Sequence, residues 1–235
     1  MGYWLRYFIG YRFADVIVCQ TDAMKNSLAQ HVPFLKNKMV VIPNLLNIQK
    51  IANDAALHDS TIEKYDPYVL AVGRFIPEKN FEQLIEAYAA LPQKPYQLLI
   101  LGDGNGRKNL ESLIKKLGVS EKVFLPGYQN NPYPFMKKAK ICVLNSTVEG
   151  FPNSLLQMLL LNEKCIATKC CDGLEAIPAL SLIETNNLSA LKNAMLKMID
   201  GFSFSNEILV AKQNYLAQRS PAEYLNQVEK SLKKQ

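Results

Sequence analysis

Three short strings in this chain hold side chains whose type and spacing suit a phosphorylated ligand. The first is Gly73-Arg74, followed by Lys79. A glycine lets the backbone turn sharply beneath a ligand. Arg74 offers a planar, permanently charged fork for phosphate oxygens, and Lys79 adds a compact second charge. Both are expected to face solvent. By themselves they read better as ordinary surface cations in a loop turned by Pro77-Glu78, because single loop cations are common. The second string is Glu149-Gly150-Phe151-Pro152-Asn153-Ser154-Leu155-Leu156-Gln157. Asn153 opens an apolar helical pattern, so the unpaired N–H groups of the first turn, Ser154 included, could receive a diphosphate. Gln157 lies about one turn further along the same face. Glu149 can accept hydrogen bonds from vicinal hydroxyls. An asparagine-capped helix beside an incidental glutamate explains the cap but not the whole string. The third, Gly102-Asp103-Gly104-Asn105-Gly106, is a glycine-rich turn that could line a site or merely close the chain tightly.

The elements around these strings alternate. YVLAVG (68–73) is a compact apolar run ended by glycine, which predicts a buried strand. Asn80 is placed to cap FEQLIEAYAAL, whose Phe81, Leu84, Ile85 and Tyr88 share one helical face. The same alternation continues through QLLILG, RKNLESLIKKLG, VFLPG, PYPFMKKA, ICVLN, NSLLQMLLL and KCIAT, with SLIE and LSALKNAMLKMI as a sixth unit. Strand-then-helix repetition requires right-handed crossovers and a parallel sheet covered on both faces. The predicted fold class is therefore α/β, a Rossmann-like doubly wound sheet. Such sheets bind ligands at the carboxyl ends of their strands, which is where all three strings fall. Residues 1–45 supply only two helices, over 3–13 and from Thr21-Asp22, and two strands, 15–19 and 39–44. That is too little for an α/β layer of its own. The expected division is a remnant of a second Rossmann-like domain at 1–45, a polar hinge at 46–66, and a ligand-binding domain with C-terminal helices at 67–235.

Composition narrows the classes further. At 49% hydrophobic residues the chain can bury a substantial core. No run approaches the ~20 apolar residues that cross a bilayer. The apolar N-terminus is interrupted by Arg6, Arg12 and Asp15 and lacks a small-residue cleavage site, so it is not read as a signal peptide. Five cysteines in no paired pattern suggest a reduced, cytoplasmic protein. His31 and His58 are far apart in sequence, and no metal site or cofactor is expected. The net charge of +6 favours anionic partners, but most of the lysines sit at helical spacing and read as solvated faces. No nucleic-acid motif accompanies them.

Taken together, VLAVGRFIPEKNFEQLIEAY, LLILGDGNGRKNLESLIKKLG and VFLPGYQNNPYPFMKKAKICVLNSTVEGFPNSLLQMLLLNEKCIATKC resemble, in order and spacing, the second domain of family 4 retaining glycosyltransferases. ADVIVCQTDAMKNSLAQ and KMVVIPN resemble the end of that family's first domain and its hinge. The resemblance implies a GT-B fold and sugar transfer from a nucleotide donor with retention at the anomeric carbon. It assigns the diphosphate to Arg74 and Lys79, and the sugar to Glu149 with the backbone of Gly150 and Phe151. It sets Gly127-Tyr128-Gln129 beside the base. The family carboxylate that takes the ribose hydroxyls is replaced by Gln157, a neutral and weaker acceptor.

The same resemblance implies a UDP-sugar in preference to a GDP-sugar, and a saccharide or lipid-linked acceptor in polysaccharide biosynthesis. Residues 1–45 carry an aromatic-rich segment and few strands to cover it. They are expected to be either mobile and aggregation-prone or covered by a second chain, a missing N-terminal half or, as a weaker option, peripheral contact with the inner face of a membrane. The expectation is thus a truncated glycosyltransferase of low activity by itself. A non-catalytic nucleotide-binding or interaction module is the alternative.

Overall fold

The structure, a computed structural model, describes residues 10–233. They fall into two compact units, residues 48–216 and residues 10–47 with 217–233.

The larger unit is built on six parallel strands. These are β3 (Tyr68–Val72), β4 (Gln97–Leu101), β5 (Val123–Gly127), β6 (Ile141–Leu144), β7 (Cys165–Thr168) and β8 (Leu180–Ile183), in the spatial order β5-β4-β3-β6-β7-β8. The sheet starts at its centre, winds outward through β4 and β5, then returns to β6 on the other side of β3. This is the doubly wound order, and it creates a crevice where the β3 and β6 connections diverge. Pairing is in simple register, Val69 opposite Ile141 and Leu98, with one irregularity between Leu99 and Leu101 against β5.

The strands read as continuous apolar runs because both faces are covered. Val69, Leu70 and Ala71 of β3 and Leu98, Leu99 and Ile100 of β4 have no exposed surface. Phe81, Leu84, Ile85 and Tyr88 of helix α3 (Phe81–Ala89) join the main core, as do Leu110 and Ile114 of α4 (Arg107–Lys116) and Leu191, Met195 and Met198 of α7 (Leu188–Ile199). The helical periodicities in the sequence thus mark the buried faces.

Residues 46–66, expected as a hinge, hold α2 (Ile48–Asp54) and a 3-10 turn (Ser60–Tyr65). Ile51, Ile62 and Tyr65 are buried, and α2 packs on α5 (Tyr133–Lys138) and α6 (Asn153–Leu161). Asn131 Nδ2 donates to Asp54 O at 2.9 Å. The stretch reads as polar because its large apolar residues, Leu46, Ile48, Ile51, Leu57, Ile62 and Tyr65, are set apart by polar residues and alanines, as in short surface elements. Helix α8 (Asn206–Ala217) completes the unit.

In the smaller unit, β1 (Ile17–Cys19) pairs in parallel with β2 (Met39–Val41). Thr21 caps α1 (Asp22–His31) through a bond from Met24 N–H to Thr21 Oγ1 at 3.1 Å. Ile17, Cys19, Val32, Leu35 and Met39 form its small core. A C-terminal helix, α9 (Pro221–Leu232), groups with this unit, and Leu46 N–H donates to Arg219 O at 2.6 Å. The helix expected over 3–13 lies mostly outside the described residues. No described helix is long and apolar enough to cross a membrane.

Candidate functional site

The three predicted strings meet at the carboxyl end of the central strands. Gly73 ends β3 and its N–H donates to Leu101 O at 3.0 Å. Gly102 follows β4 at φ +139°, and a β-carbon there would stand 1.8 Å from the Gly73 carbonyl oxygen. Only glycine lets the two strand ends approach so closely. Phe75 N–H then donates to Asp103 O at 2.9 Å, fastening the first loop to the second.

From this turn Arg74 projects into solvent, as predicted, with no side-chain partner among the described residues. Lys79 does not. Its stem passes over Gly73, whose own β-carbon would lie 3.3 Å from Lys79 Cδ and Cε, and its ammonium pairs with Glu149 Oε1. Their side chains are only 15% and 17% exposed. The expectation that both cations face solvent is thereby corrected for Lys79. The cause lies in the turn that carries it: Pro77–Lys79 forms a 3-10 turn, and Asn80 reverses the chain in the left-handed region at φ 48°, ψ 42°.

The predicted role of Asn80 is corrected as well. It precedes α3 but makes no side-chain capping bond. Its carbonyl accepts from Asn145 Nδ2 at 2.8 Å, and its amide reaches Gln83 Oε1 at 3.2 Å and Asn186 Oδ1 at 3.4 Å. The first turn of α3 is thus tied to the end of β6 instead of capped.

Glu149 is held from three directions. Lys79 and Ser146 Oγ both bond to Oε1, the latter at 2.7 Å, and the Glu149 N–H donates to Cys170 O at 2.9 Å. The preceding segment is pinned by Thr147 N–H to Glu78 O at 2.8 Å. Ser146, Thr168 and Asn145 are buried polar residues that the reading of the sequence passed over. The signal was available: Asn145-Ser146-Thr147 directly follows a fully apolar strand, where a polar run at a strand's carboxyl end belongs to the site.

Two clefts flank the Gly73-Arg74 turn. The first, about 560 Å³, is lined by Val72, Gly73, Arg74, Ile76, Glu78, Lys79, Val148, Glu149, Gly150 and Ser154. The second, also about 560 Å³, is lined by Val72, Gly73, Arg74, Leu101, Gly102, Asp103, Tyr128, Gln129, Asn130, Pro132 and Tyr133. Gly127 ends β5, its carbonyl accepting from Gly102 N–H at 3.0 Å, and leads into Tyr128, which is 73% exposed. Phe151 is buried. Asn153 is the first residue of α6, with Pro152 in the capping position, and is exposed. Gln157 is half-buried on the same helix and, like Asn153 and Phe151, does not line either cleft. Among the described residues no three His, Cys, Asp or Glu side chains gather as metal ligands would.

The adjoining clefts thus have a cationic side chain, Arg74, between them and a carboxylate, Glu149, on the wall of one. The same fold recurs in known proteins. Anabaena HepE, solved in complex with UDP and glucose, superposes with a TM-score of 0.83 at 19% identity, covering 97% of this chain and 66% of that one. A glycosyltransferase from Rickettsia africae gives 0.82 at 20% identity, with coverage of 97% and 66%. The molecule is thus of the GT-B class.

Residues 53–208 match the family of glycosyl transferases group 1, and the chain belongs to that family. A relative in Methanocaldococcus jannaschii described as an uncharacterized glycosyltransferase is 34% identical over 178 residues, which is 72% of this chain and 43% of the relative. The N-acetylgalactosamine-N,N'-diacetylbacillosaminyl-diphospho-undecaprenol 4-alpha-N-acetylgalactosaminyltransferase of Campylobacter jejuni is 34% identical over 158 residues, 67% of this chain and 42% of that one. The chain thus spans less than half the length of these curated relatives.

Proposed function

We propose that this chain supplies the donor side of a retaining glycosyltransferase acting in glycan biosynthesis. The donor is a nucleoside diphosphate sugar, with uridine favoured over guanosine, and the acceptor a saccharide or lipid-linked saccharide. One observation carries the reading: Arg74 borders both clefts, while Lys79 and Glu149 meet on the wall of the first. A diphosphate bridging the clefts would lie against Arg74 and draw on the Lys79 ammonium. The sugar would enter the first cleft beside Glu149 and Gly150. The base would enter the second, near Gly127 and Tyr128. The undecaprenol-linked acceptor named for the Campylobacter relative and the UDP bound in Anabaena HepE support the two ligand classes.

Chemically, breaking the bond between the anomeric carbon and the diphosphate places negative charge on the leaving oxygen. Lys79, held against Glu149 and partly desolvated, is a preorganised cation beside that position, and the exposed Arg74 adds a second; charge placed in this way lowers the barrier to departure. Glu149 is already engaged by two donors, which suits it to orienting hydroxyls instead of attacking carbon.

Titration calorimetry with UDP and GDP tests the donor assignment, and a sugar-release assay with UDP-sugars tests transfer. UDP should bind more tightly than GDP, and each should lose affinity in Arg74→Ala. No binding of either nucleotide would sink the proposal. Binding without transfer would favour a nucleotide-binding module that is not itself catalytic.

A further inference from the structure

The reading above leaves open how Glu149 is aimed. The last torsion of a glutamate side chain is broad and roughly two-fold, so rotamer preference alone does not decide which oxygen faces a ligand. Only bonds to the carboxylate can fix it. Two side chains supply them, and both choose the same atom: Lys79 Nζ and Ser146 Oγ bond to Oε1, and Oε2 accepts from no side chain among the described residues.

Ser146 is itself built in. It is 1% exposed, so no solvent can replace its hydroxyl. Its carbonyl accepts from Thr168 Oγ1 at 2.5 Å, and Thr168, also 1% exposed, makes a longer contact of 3.4 Å with Leu144 O. Two residues further on, the Cys170 carbonyl takes the Glu149 N–H at 2.9 Å. The end of β7 therefore fixes the backbone of Ser146 through Thr168 and that of Glu149 through Cys170. A hydroxyl facing a carboxylate can act only as donor, so the direction of the Ser146 bond is settled.

We propose that Ser146, buttressed by Thr168, is a positioning residue that occupies Oε1 of Glu149 and leaves Oε2 as the atom presented to the donor sugar. The proposal rests on the reading of the first cleft as the sugar site. Ser146 touches no ligand and acts only through Glu149. Its contribution therefore belongs to the sugar and not to the nucleotide, which is held by Arg74 and Lys79.

Calorimetry on the full chain separates these contributions. UDP is compared with UDP-glucose, UDP-galactose and UDP-N-acetylglucosamine, and the tightest-binding sugar nucleotide is carried forward. In Ser146→Ala the affinity for UDP should stay within about twofold, whereas that for the sugar nucleotide should fall roughly tenfold, as for one charge-assisted bond. Thr168→Val, which keeps shape but loses the hydroxyl, should shift affinity the same way by less. In a Glu149→Ala background, Ser146→Ala should change nothing further.

Equal loss for UDP and the sugar nucleotide would mean that Ser146 only supports the fold, and would overturn the proposal. So would an undiminished sugar contribution in Ser146→Ala, or a parent that binds UDP and UDP-sugars alike. A parent that binds no nucleotide would sink the donor reading and this one with it.

Discussion

Arg74 and Lys79 sit on one turn but differ in what holds them, and that difference is measurable. Arg74 is exposed and unpartnered among the described residues, so Arg74→Ala should leave stability within about 0.5 kcal/mol of the parent. Its loss should weaken UDP binding by roughly tenfold or more, since a charged hydrogen bond is worth about 1.5–3 kcal/mol. Lys79→Ala should weaken binding similarly but also lower stability, by about 1 kcal/mol. It strands the Glu149 carboxylate with Ser146 as its one remaining side-chain donor in a partly desolvated site. Restoring stability without binding in Lys79→Ala/Glu149→Gln would confirm that the pair, and not the lysine alone, is what the fold uses. Parallel thermal melts and calorimetry of the four proteins check this. Equal stability of the two single variants would show that the ion pair contributes nothing.

At the scale of elements, the helix and strand periods were legible because each apolar residue has one geometric role. Every strand and helix predicted from 68 to 199 forms, most of them within a residue or two of the expected bounds. What was not legible depends on close approach in three dimensions. The Gly102 turn read as a loop that could line a site or merely close the chain tightly. In the fold its glycine is also demanded by the neighbouring strand end, 1.8 Å from where a β-carbon would sit. Gly102→Ala should therefore destabilise by about 3 kcal/mol, combining a clash with an unfavourable positive φ. A denaturant midpoint unchanged by that substitution would contradict the packing.

Lys212 was equally invisible, one lysine among many in the C-terminal helical stretch. It is 5% exposed in α8, donates to Asn162 O at 3.0 Å, and burial lowers its pKa from the usual lysine value. Between that lowered value and about 10.5 the unfolded chain holds more protons than the folded one, so stability should rise with pH across this window. Below it the lysine is charged in both states and contributes no slope. Lys212→Met, which keeps the stem and removes the charge, should remove this rise and lift the melting temperature at neutral pH. Melts from pH 7 to 10.5 would show it, and a parallel pH profile in the variant would exclude Lys212 as the source.

The whole molecule consists of two units of very unequal core. The larger rests on a main cluster of more than twenty buried residues around six strands, the smaller on Ile17, Cys19, Val32, Leu35 and Met39 beside a two-stranded sheet. Each large apolar side chain buried stabilises by about 1.5–3 kcal/mol against the entropy of ordering its segment, so stability should be far from uniform along the chain. Amide exchange should accordingly be slowest in β3, β4 and β6, whose central residues have no exposed surface, and faster in β1 and β2, where Val18 is 40% exposed. Urea should resolve two transitions, the smaller unit melting first. Nucleotide adds a decisive arm, because every residue lining the two clefts belongs to the larger unit. A ligand that binds only the folded site stabilises by RT ln(1 + [L]/Kd), about 2.7 kcal/mol at a hundredfold excess over Kd. Saturating UDP should therefore move the second transition to higher urea and leave the first in place. At equal nucleotide concentration a tenfold loss of affinity in Arg74→Ala should cut that stabilisation to about 1.4 kcal/mol, so the second transition should move about half as far. One cooperative transition that moves as a whole with UDP would mean that the small core is not an independent unit, and that its stability is supplied by coupling to the donor domain.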